Sequence, residues 1–146
     1  MTTESRRLAG ILLVVLPSVM YGGVTLLTML LWSPEYAANQ VRQDLWRAGH
    51  AHAGVLLVLS LVMLRYVDEA RLSAGMKWFA RAAAPFAAIL MPAGFFLSIL
   101  SPQEHEPNRM IYLTFAGAVI LAAGVITLGV GLLRSPEIGF EAKRQP

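Results

Sequence analysis

Residues 46–66 read "WRAGHAHAGVLLVLSLVMLRY", and the fold turns on whether this stretch sits in water or in lipid. Between His52 and Arg65 every residue is apolar or small. These twelve residues cover roughly 18 Å as a helix, too little for a hydrocarbon layer roughly 30 Å thick. A crossing must therefore run from about Trp46 to Tyr66, with an aromatic at each end to suit the interfacial belts. His50 and His52 then lie inside the span, roughly one to two turns below its rim. A short re-entrant or interfacial segment is the alternative. It would leave three crossings and put the termini on opposite sides.

Three more segments are long and apolar enough to cross: residues 8–32, "LAGILLVVLPSVMYGGVTLLTMLLW"; 79–100, "FARAAAPFAAILMPAGFFLSIL", with Arg81 near its start; and 110–133, "MIYLTFAGAVILAAGVITLGVGLL". The composition agrees. Hydrophobic residues make up 56% and charged residues 14% of the chain, against about 45–50% and about 25% in soluble domains. The expected architecture is one all-α domain, an integral membrane four-helix bundle. The "ESRRLAG" start resembles a twin-arginine signal, but the apolar run outlasts an h-region of roughly 7–15 residues, so an anchor with flanking charges is expected.

With no cysteine, disulfides, Cys-ligated zinc, iron–sulfur clusters and c-type haem attachment are excluded. The net charge is +3. The basic residues flank apolar spans and form no stripe with interleaved aromatics, which argues against nucleic acid. Nine Lys and Arg fall on one side, in the N-terminus, the second loop and the C-terminus including Lys143 and Arg144; three, Arg42, Arg47 and Arg109, fall on the other. The positive-inside rule then predicts both termini in the cytoplasm. All three histidines, His50, His52 and His105, fall on the outer side.

Local signals refine this picture. Ser33 and Pro34 predict a short outer helix over about 34–45. Asp68 and Glu69 can pair with Arg71 in the cytoplasmic turn. His105, between two glutamates, is expected to be a solvated loop residue. Pro17 and Pro92 should kink the first and third spans. They and their nearby glycines form a weak echo of the kind inverted repeats produce. Gly117, Gly124 and Gly131 recur every seven residues and predict a packing seam within the bundle rather than a dimer interface.

Residues two apart on a helix point about 200° apart, so His50 and His52 cannot face one partner in a regular helix. A helix starting near Ala51 would free His50 to turn. The surrounding Ala48, Gly49, Ala51, Ala53 and Gly54 let a second helix or a flat ligand approach. Ionisable groups at membrane depth are costly and default to a functional hypothesis. Imidazole ligates metals and haem, and Met29 and Met110, near the outer ends of their spans, could add thioethers for copper or haem iron. The competing reading is a histidine bonded to a carbonyl or water.

"RAGHAHAGVLLVLSLV", followed by "MPAGFFLSIL" and the Gly/Ala-rich last span, resembles small uncharacterised bacterial membrane proteins of four helices. That likeness implies the bacterial cytoplasmic membrane as location and no particular activity. The His-x-His motif also resembles helices of haem–copper oxidase-like proteins, but this chain lacks the further histidines of an oxidase subunit. Three functions follow: a non-catalytic accessory or assembly component whose histidine site contacts haem or a metal; a transporter or channel with a histidine proton relay; and an enzyme. No acidic residue lies within a span, which disfavours the second, and no catalytic motif supports the third. The first is the expectation. Its partners are the lipid bilayer and other membrane subunits or a second copy.

Overall fold

The computed structural model describes residues 1–134; Lys143 and Arg144 lie outside them. Among the described residues there are only helices and turns. Four helices are long and apolar enough to cross a membrane: α1 (Thr3–Trp32), α3 (Gln40–Tyr66), α4 (Ala74–Leu97) and α5 (Tyr112–Leu133). A five-residue helix, α2 (Pro34–Ala38), joins α1 to α3, and a 3-10 turn (Arg109–Ile111) leads into α5.

Side-chain caps set most boundaries. Thr2, Ser33, Asn39 and Ser73 each accept a backbone N–H from the first turn of the helix that follows, which satisfies donors the helix cannot. Asn39 corrects the expected 34–45 helix. Its extended backbone ends α2 and starts α3 at Gln40, so residues 40–45 extend the histidine helix. Asn39 can do this because its side chain is used three times: Oδ1 accepts from Arg42 N–H at 3.0 Å, and Nδ2 donates to Pro102 O at 2.9 Å and Glu104 O at 2.7 Å.

Each long helix packs on the next in chain order. α3 and α5 pack extensively on α4, α1 rests mainly on α3, and no extended contact joins α1 to α5. The bundle therefore does not close between its first and last helices. Its tight part is α3–α4–α5, where Met63, Val67, Ala80, Ala84 and Leu128 share one cluster. Gly117, Gly124 and Gly131 all face α4 or the turn before it. A methyl added at Gly124 would fall 2.2 Å from Ala83 Cβ, at Gly117 2.6 Å from Met91 Cγ, and at Gly131 2.5 Å from Leu72 Cγ. α1 and α4 run as continuous helices through Pro17, Pro85 and Pro92. Each proline leaves the carbonyl four residues earlier without its helical donor.

One end of the molecule gathers the N-terminus, the 67–73 turn and the end of α5. Arg81 is 5% exposed and clasps this end. It meets Asp68 Oδ1 at 2.6 Å and Glu4 Oε2 at 3.3 Å, and its Nε donates to Ser5 Oγ at 3.0 Å. Asp68 also accepts from Thr2 N–H at 2.6 Å. Burial works to raise the Asp68 pKa, but the bonds from Thr2, Arg81 and Ser5 outweigh it and hold the carboxyl at about 2. The expected Arg71 pairing does not form. Asp68 is taken by Arg81 and Glu69 pairs with Arg65 one turn back, while the Arg71 backbone N–H donates to Gly131 O at 2.9 Å.

Candidate functional site

The face of α3 toward α1 carries Gln43, Arg47, His50, Gly54 and Leu57 at three- and four-residue steps, the spacing of one helical stripe. Its lower part is dry: Leu57 and Leu64 pack on Leu12 of α1. Higher up the stripe turns polar, and there the two helices open.

His50 sits at the opening. α3 is helical from Gln40 onward, so the imidazole is not freed by a late helix start and its direction is fixed by the helix. The ring lies against the α1 backbone at a pair of adjacent glycines. A methyl added at Gly23 would fall 2.8 Å from His50 Nε2 and 3.1 Å from Cε1; one at Gly22 would fall 3.7 Å from Nδ1. Any larger residue at Gly23 would make the imidazole shift.

His52 points elsewhere, as the 200° step requires. Its ring packs on Phe95 of α4 with centroids 5.1 Å apart, and Nδ1 lies 2.7 Å from Ala48 O. A carbonyl can only accept, so Nδ1 carries a proton and donates to it. The two histidines therefore serve different helix pairs. Met29 lies six residues beyond Gly23, about 9 Å further along α1, and Met110 is 48% exposed on the turn before α5. The structure does not bring His50, His52, Met29 and Met110 together. Among the described residues no three His, Asp or Glu side chains gather to hold a metal ion. His105 is exposed, as expected.

Two openings flank His50 along the α1–α3 seam. The upper cleft, about 250 Å³, has an apolar wall of Gly23, Leu26, Leu27 and Leu30 and a polar wall of Tyr36, Gln43, Arg47 and His50. The lower groove, about 470 Å³, runs between Leu16, Val19 and Met20 on α1 and Ala51, Gly54, Val55 and Val58 on α3. His50 is the only side chain bordering it that carries a polar atom. Gly54 forms part of its floor, where an added methyl would make only ordinary contact with Val19 at 3.8 Å.

Beside the clefts, Arg42 is buried at 7% exposure. Its Nη2 donates to Leu100 O at 2.8 Å and its Cζ lies 4.1 Å from the centre of the Trp46 ring. Arg42 Nε and Trp46 Nε1 are both buried without a hydrogen-bond partner. The Trp46 face supplies part of what a carboxylate would. Sequence reading treated Arg42 and Arg81 as flanking charges and so missed both. It also passed over Gly22–Gly23, although a glycine pair inside an apolar span is itself a sign of close approach.

No family model matches the chain, and no curated protein or solved structure matches it.

Proposed function

We propose that this chain is a small non-catalytic integral membrane protein of the bacterial cytoplasmic membrane. It acts as an accessory or assembly component of a larger membrane complex, with His50 as its contact residue near the outer face. Both termini face the cytoplasm. The N-terminus, the 67–73 turn and the end of α5 share one end, the end richer in Lys and Arg, which the positive-inside rule assigns inward.

The observation that carries this reading is the bareness of α1. Of its thirty residues only Ser5 and Leu12 are buried, and beyond the Arg81 clasp it rests almost wholly on α3. A helix this open is a natural face for another subunit. His50 borders the openings beside it as a single imidazole, which leaves any further ligands of a haem or metal to a partner.

The absence of native cysteine makes the test clean. A cysteine at Val14 on α1, 81% exposed, is compared with one at Val119 on α5, 70% exposed. In native membranes the Val14→Cys chain should cross-link to a different polypeptide and the Val119→Cys chain should not. Equal behaviour at both positions, or only lipid adducts, rejects the accessory reading. A Soret band in the complex, lost in His50→Ala, would identify haem as what His50 contacts.

A further inference from the structure

We propose that the cleft and groove on either side of His50 hold one phospholipid, its phosphate on Arg47 and one acyl chain laid past His50 into the Leu16–Val58 groove. This rests on the membrane location proposed above and not on the accessory role.

Four observations converge. First, both openings lie between two helices long and apolar enough to cross a membrane, so an occupant reaches them sideways from the bilayer. Second, polarity runs in one direction along the seam. Tyr36, Gln43 and Arg47 border the upper cleft, and below His50 the lining is entirely apolar. That is the pattern of an amphiphile, with the head above and the chain below.

Third, the length fits. Arg47 and Val58 are eleven residues apart on α3, about 16 Å along the axis. One leaflet of hydrocarbon is roughly 15 Å, half of the roughly 30 Å core. The lower groove alone, about 470 Å³, is of a size that holds small ligands. Fourth, the charge fits a phosphate. Arg47 pairs with Asp44 at 2.6 Å, but the two side chains are 53% and 60% exposed. Such a pair contributes little; Arg47 Nε also donates to Gln43 O at 3.3 Å, and a guanidinium's five N–H donors leave it able to bind a phosphate as well. Asp44 alongside can take a headgroup ammonium. The His50 imidazole, set into α1 at Gly23, forms the step over which the chain passes and can hydrogen-bond the ester region.

The groove-filling variants enter from the open side and from the floor, and a thermal melt of each separates loss of lipid from loss of the α1–α3 contact. Val58 is 52% exposed, so Val58→Trp fills the groove from its open side. Gly54→Leu fills it from the floor, and Val119→Leu on α5 is the control.

Full-length protein is purified in mild detergent and weighed intact by native mass spectrometry. It is then delipidated and titrated separately with dioleoyl phosphatidylglycerol, dioleoyl phosphatidylethanolamine and ubiquinone. The expected result is one phospholipid per chain surviving purification and rebinding of the phosphate-bearing lipids. Val58→Trp, Gly54→Leu and Arg47→Gln should each cut occupancy by about tenfold, while Val119→Leu leaves it unchanged. Preference for phosphatidylethanolamine would assign Asp44 to the ammonium; preference for phosphatidylglycerol would assign Arg47 alone.

The proposal is overturned if the wild type retains no lipid, if both groove-filling variants bind as the wild type does, or if ubiquinone binds and the phospholipids do not. Flotation of the chain with liposomes checks the membrane location separately. Flotation without lipid retention sinks this inference alone.

Discussion

The His50 imidazole lies so close to α1 that a single methyl group at Gly23 would come within 2.8 Å of Nε2. The helix pair is therefore matched to a histidine on one side and a glycine on the other. Gly23→Val should force the His50 ring into the openings beside it and destabilise the fold by about 1 kcal/mol, the low end of overpacking costs. At Gly22 the same methyl meets only ordinary contact at 3.7 Å, so Gly22→Ala should stay within about 0.5 kcal/mol of wild type. Reversible unfolding in mixed micelles of dodecyl sulfate measures both. If Gly23→Val is neutral, the close approach is not what holds the ring in place.

Along α5, Gly124 and Gly129 make a matched pair. A methyl at Gly124 would overlap Ala83 Cβ at 2.2 Å, whereas at Gly129 nothing lies within 4 Å. Gly124→Ala should cost about 1–3 kcal/mol, and Gly129→Ala should be neutral or stabilise by up to about 1 kcal/mol, because alanine is the better helix former. Thermal melts of the two variants in one detergent decide the matter. Equal melting temperatures would refute the packing seam.

The Arg81 clasp should show itself in acid. The folded-state pKa of Asp68 is lowered from 3.8 to about 2. A lowered carboxylate pKa contributes stability that is fully present above the unfolded value and lost as pH falls through the folded one. The melting temperature should therefore drop between about pH 4 and about pH 2, and Asp68→Asn should flatten that part of the profile. Arg81→Met removes one of Asp68's donors and leaves those from Thr2 and Ser5, and should cost about 1–3 kcal/mol at neutral pH. A wild-type profile that is flat in this window would mean the clasp does not form.

Asn39 offers a test by isosteric change. In Asn39→Asp, a carboxylate oxygen replaces the amide that donates to Pro102 O and Glu104 O. It would face those two carbonyls with nothing to donate. The cap to Arg42 N–H survives in Asp and is lost in Ala. Hydrogen exchange of residues 101–108 should therefore rise more in Asn39→Asp than in Asn39→Ala. The opposite order would mean that the cap, not the loop anchor, is the main role of Asn39.

The spans were legible because a helix that can cross a membrane needs about 20 apolar residues in a row, a requirement no local detail overrides. The divergence of His50 and His52 was legible for the same kind of reason, since a regular helix turns each residue by a fixed angle. What escaped reading were pairings across the chain. That Asp68 meets Arg81 instead of Arg71, or that Asn39 donates to Pro102 and Glu104, depends on which helix ends lie side by side, and charge patterning carries no record of that. Arg42 was hidden for a related reason: its compensation comes from an aromatic face and a carbonyl, neither of which marks itself in sequence as a partner for a cation.

The helices are stacked in the order in which they are synthesised, each against its predecessor. A nascent chain can thus pack its helices stepwise, with no early segment held waiting for a late one. The exception is Arg81, which reaches back to Thr2, Glu4 and Ser5 and can do so only once the third span has begun. Until then Asp68 lacks its guanidinium and holds the amino-terminal turn only through Thr2 and Ser5. This one side chain marks the moment at which the first three long helices become a unit.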